Sequence, residues 1–334
     1  MSAPAVLVTG AAGYLGSQVV AALATGLIPV RRVVAVDLRA APPGQRHPGV
    51  EHLVADIRSP EFLALFEPGG IDVVVHLAAI VTPPRGMTRE ELHAVEVGGT
   101  GRVLEACRQG AVRQLIVTSS GAAYGYHPGQ PDWIAEDWPL RGNEEFAYAH
   151  HKRLVEELLA RWRRDEPALR QVVFRVGTIL GDTVRNQITD LFDRRVLLAI
   201  RGSSSPFVFV WDQDVAGAIL HAIATGQEGV FNLAGDGALT MRELAHRMGK
   251  RCLELPAGLV RAVLAVLHPL GLSPYGPEQV DFLRYRPVLD NTRLKEQFGY
   301  RPRLTTAQVF ERYLEARRAA GTARPPTGAP EAGP

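Results

Sequence analysis

The chain of 334 residues predicts an α/β fold built on a doubly wound parallel sheet, and three features predict it. Short apolar runs alternate with helical stretches through the first half, the pattern of βαβ units. A glycine cluster, Gly10, Gly13 and Gly16, lies between the first apolar run and the first helical stretch. The alternation then breaks near residue 177, which leaves a smaller, irregular C-terminal region.

Taken in order, strands are expected at 5–9, 32–36, 52–54, 72–77, 114–118 and 171–176, each a run rich in Val, Ile or Leu. Helices are expected at 14–24, 90–108 and 148–163, and Ala41-Pro42-Pro43-Gly44 supplies a turn after the second strand. Shorter pieces follow at 207–210, 214–224, 230–233 and 241–248. The expected boundaries are 1–176 for a nucleotide-binding unit and 177–318 for a mainly substrate-binding region, some of whose segments return to the first unit. Residues 319–334 are rich in Pro, Gly and Ala and should be a disordered tail.

Composition narrows the function classes. With 37 basic against 35 acidic residues, no dedicated nucleic-acid surface is expected. Cys107 and Cys252 form no disulfide framework and are read as packing residues, and no metal site is expected. The first strand runs straight into the glycine cluster, so no secretion signal is read there and the cytoplasm is the expected compartment. The apolar run 259–267 is shorter than the ~20 residues a membrane span needs, and it carries Arg261. It is read as a buried or pocket-covering helix.

The cluster Gly10-x-x-Gly13-x-x-Gly16 follows a strand and opens a helix, the context of a dinucleotide site in a Rossmann-like sheet. Glycine permits a tight turn and close approach of backbone to pyrophosphate, while the helix start offers free N–H donors. Asp37 ends the second strand twenty-one residues after Gly16. A carboxylate there accepts from both ribose hydroxyls and repels a 2′-phosphate, so NAD is favoured over NADP. Arg39, two residues on, would partly offset that repulsion. Asp56 is read either as an adenine contact or as the cap of a helix beginning near Ser59. His76 is read as a packed core residue.

Tyr148 and Lys152 lie four residues apart, with Ser120 twenty-eight residues before Tyr148. At i and i+4 two side chains share a helix face, their β-carbons about 5–6 Å apart. An ammonium that close favours the phenolate and fits the tyrosine for acid/base work. Ser120, at the end of an apolar strand, could hold a substrate oxygen while the tyrosine moves its proton. The three suit hydride chemistry at a secondary alcohol or ketone. Each part alone is common: many solvated helices carry such a pair, and Thr118-Ser119-Ser120 would serve as a plain strand end. Their order along the chain is what points to a site.

These motifs resemble the extended short-chain dehydrogenase/reductase family, specifically its NAD-dependent epimerase/dehydratase branch, and are UDP-glucose/galactose 4-epimerase-like. The resemblance rests on Thr9 to Gly16, His76-Leu77-Ala78-Ala79, Ser119-Ser120-x-x-x-Tyr124-Gly125, Glu136-Asp137-x-Pro139-Leu140 and Tyr148-x-x-x-Lys152. Later landmarks run from Phe207 through Trp211 and Asp214 to Ala216, and from Phe231 to Gly235. The resemblance implies a cofactor set of Gly10, Gly13, Tyr14, Leu15, Gly16, Asp37, Asp56, Ile57, Leu77, Ala78 and Ala79, joined by Tyr148 and Lys152. It makes Tyr148 the acid/base, gives Lys152 the nicotinamide ribose, and lets Ser120 orient the substrate oxygen, with Ser119 as runner-up. Ser119, Tyr124 and Thr178 are the candidate substrate contacts. His150 and His151 stand at variable positions and receive no role.

Departures from the family bear on substrate. Gly121 and Ala122 replace the Asp-Glu pair of dehydratases, which argues against dehydration. Glu96 stands where members usually carry asparagine. Thr178 and Phe207 match positions where UDP-galactose 4-epimerases carry asparagine and arginine, which weakens the case for a UDP-sugar. The leading expectation is a nucleotide-sugar 4-epimerase-like enzyme, working through a transient ketone with NAD, with a homodimer as candidate assembly. An alcohol dehydrogenase/ketoreductase on a non-nucleotide substrate stands next, and a non-catalytic NAD-binding regulator third.

Overall fold

The computed structural model describes residues 3–321 apart from Arg85 and Pro274. Its strands are β1 (Ala5–Thr9), β2 (Arg32–Asp37), β3 (Val50–Val54), β4 (Val73–His76), β5 (Gln114–Ser120) and β6 (Arg170–Val176), followed by β7 (Thr178–Leu180), β8 (Val196–Ile200), β9 (Phe209–Trp211), β10 (Gly229–Leu233) and β11 (Arg251–Leu255). The first helices are α1 (Tyr14–Ala24), α2 (Pro60–Leu63), α3 (Arg89–His93), α4 (Gly99–Gln109) and α5 (Ala147–Asp165). The later ones are α6 (Gln187–Phe192), α7 (Asp212–Thr225), α8 (Met241–Arg247), α9 (Ala257–Leu267), α10 (Gln279–Arg284), α11 (Thr292–Glu296) and α12 (Thr306–Ala319).

Seven strands form one parallel sheet in the order β10-β6-β5-β4-β1-β2-β3. All five residues of β1 are buried, as a central strand covered on both faces requires, and this explains its unbroken apolar run. On one face, Val19, Val20 and Leu23 of α1 pack with Val215, Ile219 and Ile223 of α7. On the other, Val103 and Leu104 of α4 pack with Val155 and Leu159 of α5. The strand order reverses between β4 and β1, so a crevice opens at their carboxyl ends, where ligands bind in such sheets.

Several expected bounds shift. β5 runs two residues past 118, because Ser119 and Ser120 still pair with Arg175 and Val176 of β6. The single helix expected at 90–108 is interrupted by a π-helical turn, Ala94–Gly98. Beyond β6, β8 pairs with β11 and β7 with β9 in two small parallel sheets, around an aromatic core of Phe192, Phe207, Phe209 and Phe310. β10 then rejoins the main sheet beside β6.

The expectation for 259–267 needs correction. α9 buries Val260 alone and leaves Leu259, Val263 and Val266 about half exposed. Arg261 of this helix does line the wall of a surface cavity. No described helix is long and apolar enough to cross a membrane. Of the tail expected to be disordered, Ala319 closes α12, and residues 322–334 lie outside the described residues.

Candidate active site

The glycine loop is shaped by contacts only glycine allows. Gly10 has φ +67°, and a β-carbon there would sit 2.6 Å from the backbone nitrogen of Ala78. At Gly16 it would lie 2.0 Å from the Gly10 carbonyl oxygen. The loop is thus pressed between the ends of β1 and β4 at the sheet's reversal point. Gly13 caps α1 with no side-chain hydrogen bond, and no acidic residue occupies the first turn. The helix start therefore keeps its N–H donors and its positive end free for an anion. This cradle fits the pyrophosphate of a dinucleotide.

Asp37 stands at the end of β2 beside this loop, its carboxylate accepting from Ala12 N and Arg39 N, each at 3.0 Å. The Arg39 guanidinium points into solvent, 3.9 Å from the carboxylate and 76 % exposed. Ala12, Asp37, His52 and Leu53 line a cavity of about 340 Å³ at this end. Asp56 is clasped by Arg58, at 2.6 Å, which holds its carboxyl below the usual range. Asp56 does not cap α2; Ser59 does. Ile57 packs its side chain into the core. Leu77 N donates to Thr9 O at 3.2 Å and Ala78 N to Thr9 Oγ1 at 3.4 Å, which locks β4 to the glycine loop. Leu15 packs on the core, and Tyr14 donates to Asp212 at 2.5 Å. His76 is held between Thr9 and Thr100, at 2.8 and 3.1 Å, and burial pushes it down to about 3, so it stays neutral.

Ser120, Tyr148 and Lys152 come from β5 and the first turns of α5. Phe146 caps α5, so Tyr148 is at its second position and Lys152 one turn later. The Lys152 ammonium lies 5.6 Å from the centre of the Tyr148 ring. Lys152 is buried, while Tyr148 and Ser120 keep partial exposure. Burial pulls the lysine down, but Glu96, 3.6 Å away, and then Tyr148 more than offset this and hold it above its ordinary range. Ser120 Oγ accepts from Ala122 N at 3.2 Å and keeps its proton free to donate.

Two expected substrate contacts lie elsewhere. Ser119 points the other way from Ser120 and donates to Glu156 at 2.5 Å. Glu156 is gripped by Arg175, at 2.7 Å at the closest, and Arg175 also donates to the Tyr124 hydroxyl at 2.8 Å. Tyr124 is fully buried and donates in turn to Asn232 at 2.9 Å. Ser119 and Tyr124 therefore belong to a buried polar network that ties β5, β6, α5 and β10 together. Thr178, the third, is partly exposed at the start of β7.

The family model described as Epimerase: NAD dependent epimerase/dehydratase family matches residues 6–234. The chain belongs to that family. As a member of the NAD-dependent epimerase/dehydratase family it is an enzyme whose cofactor is NAD. An uncharacterized protein of Mycobacterium tuberculosis is 28 % identical over 93 % of this chain and 84 % of its own length. A UDP-glucose 4-epimerase of Mycolicibacterium smegmatis is 28 % identical over 92 % of this chain and 97 % of its own. Among solved structures, the dTDP-glucose 4,6-dehydratase DesIV from Streptomyces venezuelae, with NAD and TYD bound, shares the fold. Its TM-score is 0.71 at 23 % identity, covering 96 % of this chain and 99 % of that one.

Sequence reasoning on this family member missed Arg286. Its guanidinium stacks 3.8 Å from the centre of the Phe207 ring and 4.1 Å from that of Phe282. Phe282 meets Tyr126 at 5.0 Å, and Tyr126 meets Phe146, the cap of α5, at 5.3 Å. The Nη2 atom of Arg286 is shut off from solvent without a hydrogen-bond partner, and no described carboxylate pairs with the residue. Burial pulls its guanidinium down to about 9, so it carries its charge at neutral pH. In sequence it is one arginine among many. Only the fold reveals that no described carboxylate pairs with it.

Proposed function

We propose that this enzyme is nucleotide-sugar 4-epimerase-like, inverting a secondary alcohol through a transient ketone. The observation that carries the reading is Arg286, a charged guanidinium with no described carboxylate partner, held between Phe207 and Phe282 and joined by Tyr126 and Phe146 to the helix that bears Tyr148. A half-buried cation with a solvent-shielded, unsatisfied Nη2 and no counter-ion among the described residues calls for an anion from the ligand, and a diphosphate supplies one. Phe207, where the epimerases carry arginine, becomes the platform on which Arg286 rests. Gly121 and Ala122 bring no proton-transferring side chain to the turn after Ser120, so dehydration finds no support.

NAD, when bound, supplies the hydride acceptor and donor. Gly10, Gly13 and Gly16 would hold its pyrophosphate and Asp37 its adenosine ribose. Tyr148 takes the proton of the substrate hydroxyl and later returns it. Lys152 stabilises the phenolate through its charge, and Ser120 donates to the same substrate oxygen to fix its position. The runner-up is an alcohol dehydrogenase/ketoreductase, in which these residues act once per turnover.

Incubating the purified protein with UDP-glucose, UDP-galactose, the free sugars and simple secondary alcohols tests the reading, with product stereochemistry followed by NMR. Inversion at C4 of the UDP-sugars alone is the expected result; net NADH from a plain alcohol would replace it with the runner-up. Arg286→Met should raise KM for the nucleotide sugar about 10- to 100-fold, the loss of one charge-assisted contact worth roughly 1.5–3 kcal/mol. An unchanged KM would detach Arg286 from the substrate.

The serines give a second test. Ser120→Ala should lower turnover, because the reacting oxygen loses its donor and small misplacement is costly. Ser119→Ala should be milder, since Glu156 keeps its bidentate grip on Arg175. Turnover of both variants at saturating NAD decides it; a crippled Ser119→Ala enzyme would reverse the assignment.

A further inference from the structure

We propose that Glu96 is a positioning residue of this site, one that fixes Lys152 through a buried carboxylate anchored to the loop after β4. The proposal rests on the reading of Tyr148 and Lys152 as the acid/base pair and adds a charge that acts on both. Glu96 is buried, and its two oxygens have separate tasks. One accepts from the backbone N–H of Ile80, just beyond β4. The other faces the Lys152 ammonium at 3.6 Å. The first bond prevents the carboxylate from following the lysine, so the lysine must come to it.

Local backbone explains how glutamate reaches this place. Glu96 lies at the middle of the π-helical turn Ala94–Gly98, which contacts α5 directly. One extra residue in a helical turn rotates the following side chains, and such turns recur at functional sites. Gly99 lets the turn approach α2's leading segment, for a β-carbon there would lie 2.7 Å from the Ile57 side chain.

The consequence is electrostatic. A lone ammonium beside Tyr148 would act on the phenol with its whole charge. With Glu96 in place that charge is shared between a carboxylate and a phenol. Around the lysine stand Glu96, Tyr148, Glu156 and His76. Around Glu96, His151 is buried, with His93, His150 and Arg89 beyond it. Burial, ahead of these charges, lowers His151 below its ordinary range, and Glu96 is the described carboxylate that pairs with the lysine, at 3.6 Å. Removing the Glu96 charge should therefore favour tyrosinate at Tyr148.

Ultraviolet titration of tyrosinate in the full chain tests this without substrate or turnover. Subtracting the Tyr148→Phe titration in each background isolates the one side chain. Glu96→Gln keeps an oxygen for Ile80 and removes the charge; Glu96→Asn is a second neutral variant and Glu96→Asp retains the charge. At a pH where the parent is partly ionised, the neutral variants should show roughly tenfold higher tyrosinate-to-phenol ratios at Tyr148. The aspartate variant should stay close to the parent. A parent-like signal in both neutral variants, equal signals in the neutral and aspartate variants, or loss of folding in both neutral variants overturns the proposal. Because no substrate enters the measurement, its failure is separate from failure of the epimerase reading.

Discussion

Tyr148→Phe is expected to lower turnover by at least ~10²-fold while leaving the fold and NAD affinity nearly intact. The ring stays, and with it the packing at the start of α5 and the face toward Lys152, 5.6 Å away. What disappears is one hydroxyl in a partly exposed position, the group proposed to take and return the substrate proton. Neighbouring Tyr126 cannot substitute, because burial pushes its phenol well above its usual range. Turnover at saturating NAD, thermal melting and calorimetric titration of NAD check the three parts separately. Near-normal turnover would remove Tyr148 from the mechanism.

The largest effect on stability is expected at Arg175, in the buried polar network behind the site. Its guanidinium grips Glu156 at 2.7–3.1 Å and also donates to Tyr124 and to the Glu136 carbonyl, both at 2.8 Å. Arg175 and Glu156 are both buried. Arg175→Met would leave a carboxylate enclosed without its cation, a loss of about 3–5 kcal/mol. Replacing both partners with apolar residues of similar volume should recover most of this, because the desolvation cost of both charges then vanishes. Denaturant unfolding of the single and double variants measures it. A double variant no more stable than Arg175→Met would mean that the ion pair itself, and not the stranded charge, carries the stability.

Much of the fold was legible because it depends on local pattern. The strands of the main sheet are apolar runs buried on both faces, and the glycines mark contacts that admit no β-carbon. The pair on α5 was legible because helical spacing alone brings Tyr148 and Lys152 together. The rest depends on partners distant in sequence. Ser119 and Ser120 look alike until Glu156, thirty-seven residues on, is seen to claim the first. Glu96 appeared as a mere departure from asparagine, since nothing in its neighbourhood in the chain announces Lys152 as its counter-ion. Arg286 is defined by what does not surround it, and a sequence does not record an absence in space. α9 reads as buried from its apolar residues, yet its position at the periphery leaves half of them uncovered.

The return of β10 to the main sheet bears on how the polypeptide is made. A ribosome that has released residues up to 176 has delivered six of the seven strands, with β6 at the margin. Until residues 229–233 emerge, that margin presents a row of unpaired backbone donors and acceptors, a template for wrong partners. α7, which covers one face of the sheet beside α1, is also still missing. The nascent N-terminal half is therefore a sticky intermediate rather than a finished unit. The segment between β6 and β10 must be synthesised and looped out before the sheet can be sealed, so the part of the enzyme that would recognise substrate is also the part whose completion protects the cofactor half from aggregation.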